Sequence, residues 1–224
     1  METTRRSLQA KRLQALPVYL FEELASKRLK KEAEGVEVID LSIGDPDLGA
    51  PSTAIESLKR NLAQKHLHGY TSEAVNRVFR QVVSRWMRER FNVEIDPDSE
   101  VLPVIGTKEG LAHLTMATAD PDDVVLVPDP ADPVYARSTI LAGAKAVTMP
   151  LSPEEDYLPR LDDFRDIQPK LVFLNYPNNP TSATADKVFY EKAVAFARST
   201  GALLVNDAAY SEICFDGYRS CSIL

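Results

Sequence analysis

The sequence predicts an α/β fold: a mostly parallel sheet with helices on both faces. Two observations carry this expectation. From Val101 onward, short apolar runs of strand length alternate with helix-length amphipathic segments, the pattern of strands joined by helical crossovers. Residues able to do chemistry, in NYPNNPT at 175–181 and NDAAY at 206–210, directly follow two of those runs, where the carboxyl ends of parallel strands collect ligands.

In chain order, residues 18–34 read as a helix with Leu20, Phe21, Leu24 and Leu29 on one face and Gly35 as its stop. Residues 36–41 form an apolar run expected as a strand, leading into the turn-rich Gly44-Asp45-Pro46-Asp47. Ser52 is the expected N-cap of a helix ending near Gln64. After the loop at His68-Gly69-Tyr70, helical spacing is strongest through Val75, Val78, Phe79, Val82, Val83, Trp86 and Phe91. Strands are then expected at 101–105, 124–127, 146–149, 171–174 and 203–205. Helices are expected at 109–119, 133–141 and 186–200, the last stopped by Gly201. The change of pattern near 44–51 is the candidate domain boundary.

A chain of 224 residues is long enough to bury a sizeable core. Its net charge of −7 argues against a nucleic-acid partner, which would require clustered Lys and Arg. Small molecules or other subunits are the expected partners. Cys214 and Cys221 have neither zinc-site spacing nor a disulfide framework around them, so a reduced, cytoplasmic setting is the default. No apolar stretch approaches the roughly 20 residues of a membrane span. Arg5, Arg6, Lys11 and Arg12 are followed by no apolar segment, so no secretory signal is expected.

Gly106-Thr107-Lys108-Glu109 follows an apolar run and opens a helix, which turns backbone N–H groups and the helix dipole toward an anion. It matches neither a Walker A loop nor GxGxxG, and alone it could be a plain turn. Asp207 follows the apolar run 202–205, where a carboxylate is costly unless paired; it could balance a protonated ring nitrogen or cap the next turn. Asn179 and Tyr210 could bond a phenolic oxygen, or could be turn chemistry and a half-buried tyrosine. Together these groups suit pyridoxal 5'-phosphate, whose ring must stay protonated to act as an electron sink. His66 and His68 are too few for a closed metal site, and Asp120-Pro121-Asp122-Asp123 reads as a solvated turn.

These segments resemble, in order, the motifs of class I/II, fold-type I pyridoxal-phosphate aminotransferases, and within that group the LL-diaminopimelate and aspartate aminotransferases. The matching blocks are Leu16-Pro17-Val18-Tyr19-Leu20-Phe21, IGDPDL from Ile43, HGYTS from His68, IGTKEG from Ile105, VLVPDP from Val125, NYPNNPT from Asn175 and NDAAYSEICFDGYRS from Asn206. The resemblance implies an N-terminal segment of a small domain over 1–48 and a C-terminally incomplete cofactor-binding large domain over 49–224. It implies Gly106, Thr107 and Lys108 at the cofactor phosphate, with Tyr70 reaching a phosphate of the neighbouring subunit in a homodimer. Asn179 and Tyr210 would hold the phenolic oxygen and Asp207 the ring nitrogen, with Tyr19 and Gly44 near the substrate. The implied substrates are an amino acid and a 2-oxo acid.

The chain also departs from that pattern. Where the family stacks an aromatic residue over the ring within Gly-Tyr-Pro, this chain has Ala131-Asp132-Pro133. Asp132 therefore takes a cofactor-facing position without the stacking energy of about 0.5–1.5 kcal/mol, although Asp before Pro is a good helix cap. Glycines that the family uses in tight turns appear as Asn76, Asp122 and Ser182. The family carries its Schiff-base lysine a few dozen residues beyond the Asp207 position, whereas the last lysine here is Lys192. The resemblance thus implies an aminotransferase that is inactive as these 224 residues, with exposed strand edges and poor solubility. Two other readings stay open: a non-catalytic fragment or degenerate paralogue, and other pyridoxal-phosphate chemistry such as a C–S lyase.

Overall fold

A computed structural model describes residues 8–42, 44, 47–70 and 73–224. Arg5, Arg6, Ile43, Asp45, Pro46, Thr71 and Ser72 lie outside the described residues, as does the side chain of Val75. The chain forms two compact units, one of Pro17–Gln81 and one of Met1–Leu16 with Val82–Leu224.

The short helix α1 (Lys11–Gln14) belongs to the larger unit. The smaller unit holds α2 (Leu20–Ala33), α3 (Ser52–Leu62) and the start of α4 (Glu73–Phe91). Just past α2, Gly35 turns the chain at φ +81°, a conformation that favours glycine. Leu20, Leu24 and Leu29 are nevertheless exposed along α2. Ser52 is the first residue of α3 rather than its cap; Pro51 holds the cap position and no side chain bonds there. Residues 36–41 are not a strand either. An apolar run becomes a strand only when a second strand takes its backbone hydrogen bonds. Here the segment is held by side chains, Asp40 pairing with Arg28 of α2 and accepting from the Ser42 hydroxyl at 2.6 Å.

The larger unit continues through α5 (Thr107–Thr118), β1 (Val124–Asp129), α6 (Val134–Ala142), β2 (Lys145–Pro150), β3 (Leu171–Asn175), α7 (Lys187–Thr200) and β4 (Leu203–Asp207). Among the described residues the four strands form one parallel sheet in the order β2-β1-β3-β4. Its two faces are filled by alternate side chains of the same strands. Leu126, Val172 and Leu174 pack with Phe189, Ala193 and Phe196 of α7. Val125, Val127, Leu171 and Phe173 pack with Leu111 of α5 and Tyr135 of α6. Burial on both faces is why these strands read as unbroken apolar runs, and each fully buried side chain contributes about 1.5–3 kcal/mol. The Asp186 carboxylate caps α7 by accepting the Phe189 N–H at 2.7 Å, and Gly201 ends that helix at φ +73°.

Two details differ from the sequence reading. Residues 101–105 join no sheet among the described residues, because the four strands pair among themselves, and Ile105 is left 93% exposed. Leu102, Leu203, Ile213 and Phe215 are exposed as well. Conversely, β1, β3 and β4 run past their apolar cores, so that Asp129, Asn175 and Asp207 are each the last residue of a strand.

Of the positions where glycine was expected, Asp122 and Ser182 adopt φ +75° and +61°, while Asn76 lies inside α4. Left-handed backbone costs an L-residue about 1–2 kcal/mol, less for Asp than for Ser. Ser182→Gly is therefore expected to raise stability by up to about 1 kcal/mol in denaturant unfolding. A loss of stability would mean that the Ser182 conformation carries no strain.

Candidate functional site

The strand order changes direction between β1 and β3, since β1 is followed by β2 on one side of it and β3 lies on the other. Open α/β sheets form their ligand crevice at such a point, outside the carboxyl ends of the strands. The pairing reinforces it. β1 and β3 pair only at Val125–Leu171 and Leu126–Val172, whereas β3 and β4 stay paired to their last residues, Asn175 and Asp207.

Asn175 organises this end of the sheet. It is 2% exposed, and a buried amide must be bonded or it costs stability. Its Nδ2 donates to the Asp207 backbone oxygen at 2.8 Å, and its Oδ1 accepts the Asn179 N–H at 2.9 Å. One side chain thus ties the NNPT turn to the end of β4. Asn178 shapes the turn itself, its Oδ1 accepting from the Thr181 N–H at 3.1 Å and the Thr181 hydroxyl at 2.7 Å. The turn chemistry read from the sequence is therefore present. It leaves Asn179 half-buried beside Asp207's strand.

The Asp207 carboxylate is held at both oxygens. Tyr135 donates its phenolic hydrogen to Oδ2 at 2.9 Å, and the Ala209 N–H donates to Oδ1 at 3.2 Å. The second bond is the turn-capping role that the sequence allowed; the first is not a cap at all. Tyr135 is 1% exposed and stacks on Phe173 with ring centroids 5.0 Å apart. Burial, and then the neighbouring Asp207 charge, push its phenol well above the ordinary tyrosine range, with Asp132 and Tyr210 adding to the effect. Tyr135 stays a neutral donor, fixed in place by apolar packing. Tyr210 is half-buried.

The second part of the site is the start of α5. Gly106 turns the chain at φ +88° just before Thr107, a backbone that favours glycine. First-turn N–H groups have no acceptor within their helix, so this end attracts negative charge. Glu109 reaches back to the Ile105 N–H at 2.7 Å and steadies the turn. Lys108 lies 3.1 Å from Asp132 Oδ2, while Asp132 Oδ1 accepts the Val134 N–H at 2.9 Å. Asp132 thus bonds the first N–H of α6, although Pro133 rather than Asp132 holds the cap position, and it pairs with Lys108 too.

The structure brings Lys108, Asp132, Asp207 and Tyr210 into one interacting set around Tyr135, with Gly106 and Thr107 on Lys108's turn and Asn179 tied in through Asn175. Tyr19, Gly44 and Tyr70 belong to the Pro17–Gln81 unit. Tyr19 packs on Phe21 at 5.5 Å between ring centroids, and Gly44 and Tyr70 are exposed. Among the described residues no cluster of three or more His, Cys, Asp or Glu could hold a metal ion. His68 instead hydrogen-bonds the Leu62 carbonyl at 2.8 Å. No helix among the described residues is long and apolar enough to cross a membrane.

Sequence reasoning missed Tyr135 and Asn175 as site residues. A signal existed for each. Asn175 is the polar end of an otherwise apolar strand, and Tyr135 stands three positions after Asp132, on the same side of a helix start.

The pattern of the family described as Aminotransferase class I and II matches residues 36–222. This chain belongs to the class I and II aminotransferases. It is 46% identical to an LL-diaminopimelate aminotransferase from Syntrophobacter fumaroxidans, over 97% of this chain and 57% of that protein. It is 47% identical to the LL-diaminopimelate aminotransferase of Desulforudis audaxviator, over 97% of this chain and 56% of that one. Among solved aminotransferase structures, the probable N-succinyldiaminopimelate aminotransferase from Thermus thermophilus superposes with a TM-score of 0.84 at 34% identity, covering 92% of this chain and 56% of its own. The chain is a fold-type I aminotransferase segment spanning a little over half the length of the curated relatives it matches. The family depends on pyridoxal phosphate.

Two measurements test this geometry. Asn175→Ala leaves the Asn179 N–H and the Asp207 carbonyl without their partner, and is expected to lower stability by about 2–3 kcal/mol in denaturant unfolding; a change under about 0.5 kcal/mol would show that water satisfies both groups. The second measurement is alkaline stability. Tyr135, Tyr176 and Tyr190 are raised by burial and stay protonated in the fold, whereas unfolded phenols ionise near pH 10. The folded chain then holds more protons, so stability should fall as pH rises beyond about 10. Tyr135→Phe should make that fall shallower, and an unchanged slope would refute the protonated Tyr135.

Proposed function

We propose that residues 1–224 form the N-terminal part of a pyridoxal-phosphate aminotransferase that passes an amino group between a diaminopimelate- or aspartate-like amino acid and a 2-oxo acid. Residues 1–48 are an N-terminal segment of its small domain and 49–224 an incomplete cofactor-binding large domain. The single observation that supports this best is the Asp207 carboxylate, aimed by the buried Tyr135 and the Ala209 N–H, at the crevice end of β4. A carboxylate held this way suits a protonated pyridine nitrogen, because the opposite charge favours the protonated form. The start of α5 with Lys108 suits a phosphate.

Pyridoxal phosphate, when bound, supplies the electron sink that acidifies the α-carbon of the amino acid. This chain's part is to bind and orient. Asp207 keeps the ring nitrogen protonated, Asn179 and Tyr210 bond the phenolic oxygen, and Gly106, Thr107 and Lys108 receive the phosphate. Tyr19 and Gly44 approach the substrate, and the exposed Tyr70 reaches across a homodimer to the partner's phosphate. The assembled enzyme works in the cytoplasm. The proton-transferring lysine is not assigned to any residue of this chain; the last one, Lys192, lies within α7, before β4 and Asp207 in the order of elements.

Titration with pyridoxal phosphate tests the nitrogen assignment: Asp207→Ala should weaken binding clearly more than Asp122→Ala, and equal affinities would remove it. Borohydride reduction tests the lysine. The 224-residue chain should retain no stoichiometric adduct at one lysine and should produce no keto acid. A single modified site at Lys108, Lys170, Lys187 or Lys192, together with keto-acid production, would show that these residues carry their own catalytic lysine.

A further inference from the structure

The ion pair between Lys108 and Asp132 has an asymmetry that bears on what the start of α5 binds. The Asp132 side chain is 18% exposed and anchored at Oδ1 by the Val134 N–H, whereas Lys108 is 61% exposed on a flexible stem. The carboxylate is therefore the fixed partner and the ammonium the movable one. Asp132 also acts electrostatically on Tyr135, so it lies within the interacting set around Asp207 rather than on a remote surface. An anion arriving at Gly106, Thr107 and Lys108 meets a cation whose charge is already balanced, and meets a second negative charge held by backbone.

We propose that Asp132 sets phosphate affinity at the start of α5 by competing for Lys108, an inference that rests on the pyridoxal-phosphate reading above. Asp132 acts on the phosphate end of the ligand and not on its ring. The site consequently discriminates only weakly between phosphorylated and unphosphorylated forms of the same pyridoxal compound, and removing the charge sharpens that preference. The helix dipole remains as the main attraction for the phosphate in the unaltered chain.

Calorimetric titration of the 224-residue chain with pyridoxamine 5'-phosphate, pyridoxamine and inorganic phosphate separates the possibilities, since none of these carries an aldehyde that could react with surface lysines. Asp132→Asn keeps an oxygen for the Val134 N–H while removing the charge, and Asp132→Ser offers that N–H a hydroxyl oxygen on a smaller side chain. Both variants should bind the two phosphate-bearing probes about two- to fivefold more tightly, the span of partly exposed ion pairs, with pyridoxamine unchanged. In a Lys108→Gln background the same substitutions should gain markedly less. Unchanged affinity for both phosphate probes in two folded variants would overturn the proposal, as would an equal gain for pyridoxamine, which would assign Asp132 to the ring. Failure of every probe to bind any of the proteins would instead overturn the cofactor reading itself, and this proposal with it.

Discussion

The arrangement of this site depends on a hydrogen-bonded amide at the end of a buried strand. β3 is covered on both faces, so the first polar residue it reaches, Asn175, has to find its partners inside the protein. It finds one in the backbone of β4 and one in the turn that follows β3. Those two bonds fix Asn179 relative to Asp207, and parallel pairing through the last residues of both strands leaves little freedom to slip. Without them the turn and the strand end would be two unrelated surface features.

Charge is organised around the same place. Asp207 is bonded by a neutral phenol whose own ionisation is suppressed by burial and by that carboxylate, so Tyr135 remains a donor over the ordinary pH range. Asp132 sits on the same helix start as Tyr135 but turns its second oxygen to Lys108. The two aspartates thus make different contacts around Tyr135: Asp207 accepts its phenolic hydrogen, and Asp132 pairs with Lys108.

The exposed apolar residues have a common physical origin. Residues 101–105 have the composition of a strand, and β4 is an edge strand of the observed sheet. A strand forms only against another strand, and an apolar edge is covered only by further chain or by association. The chain covers 56–57% of the length of the relatives it matches. The same reasoning accounts for 36–41, an apolar run held by the Asp40 and Arg28 side chains in place of a backbone ladder.

Sequence alone determined the elements whose information is local: the buried strands of the sheet, the crossover helices, the glycine stops at Gly35 and Gly201, and the placement of Asp207 and NNPT at strand ends. These follow from periodicity and from the backbone preferences of single residues, which act over a few positions. Tertiary structure decided which apolar runs became strands, because pairing is a contact between segments far apart in sequence. It also decided the partners of each polar group. Tyr135 and Asp207 are 72 positions apart and Asn175 and Asp207 are 32 apart. No local pattern encodes such a bond, since its energy exists only when folding has brought the two groups within about 3 Å and removed the water between them.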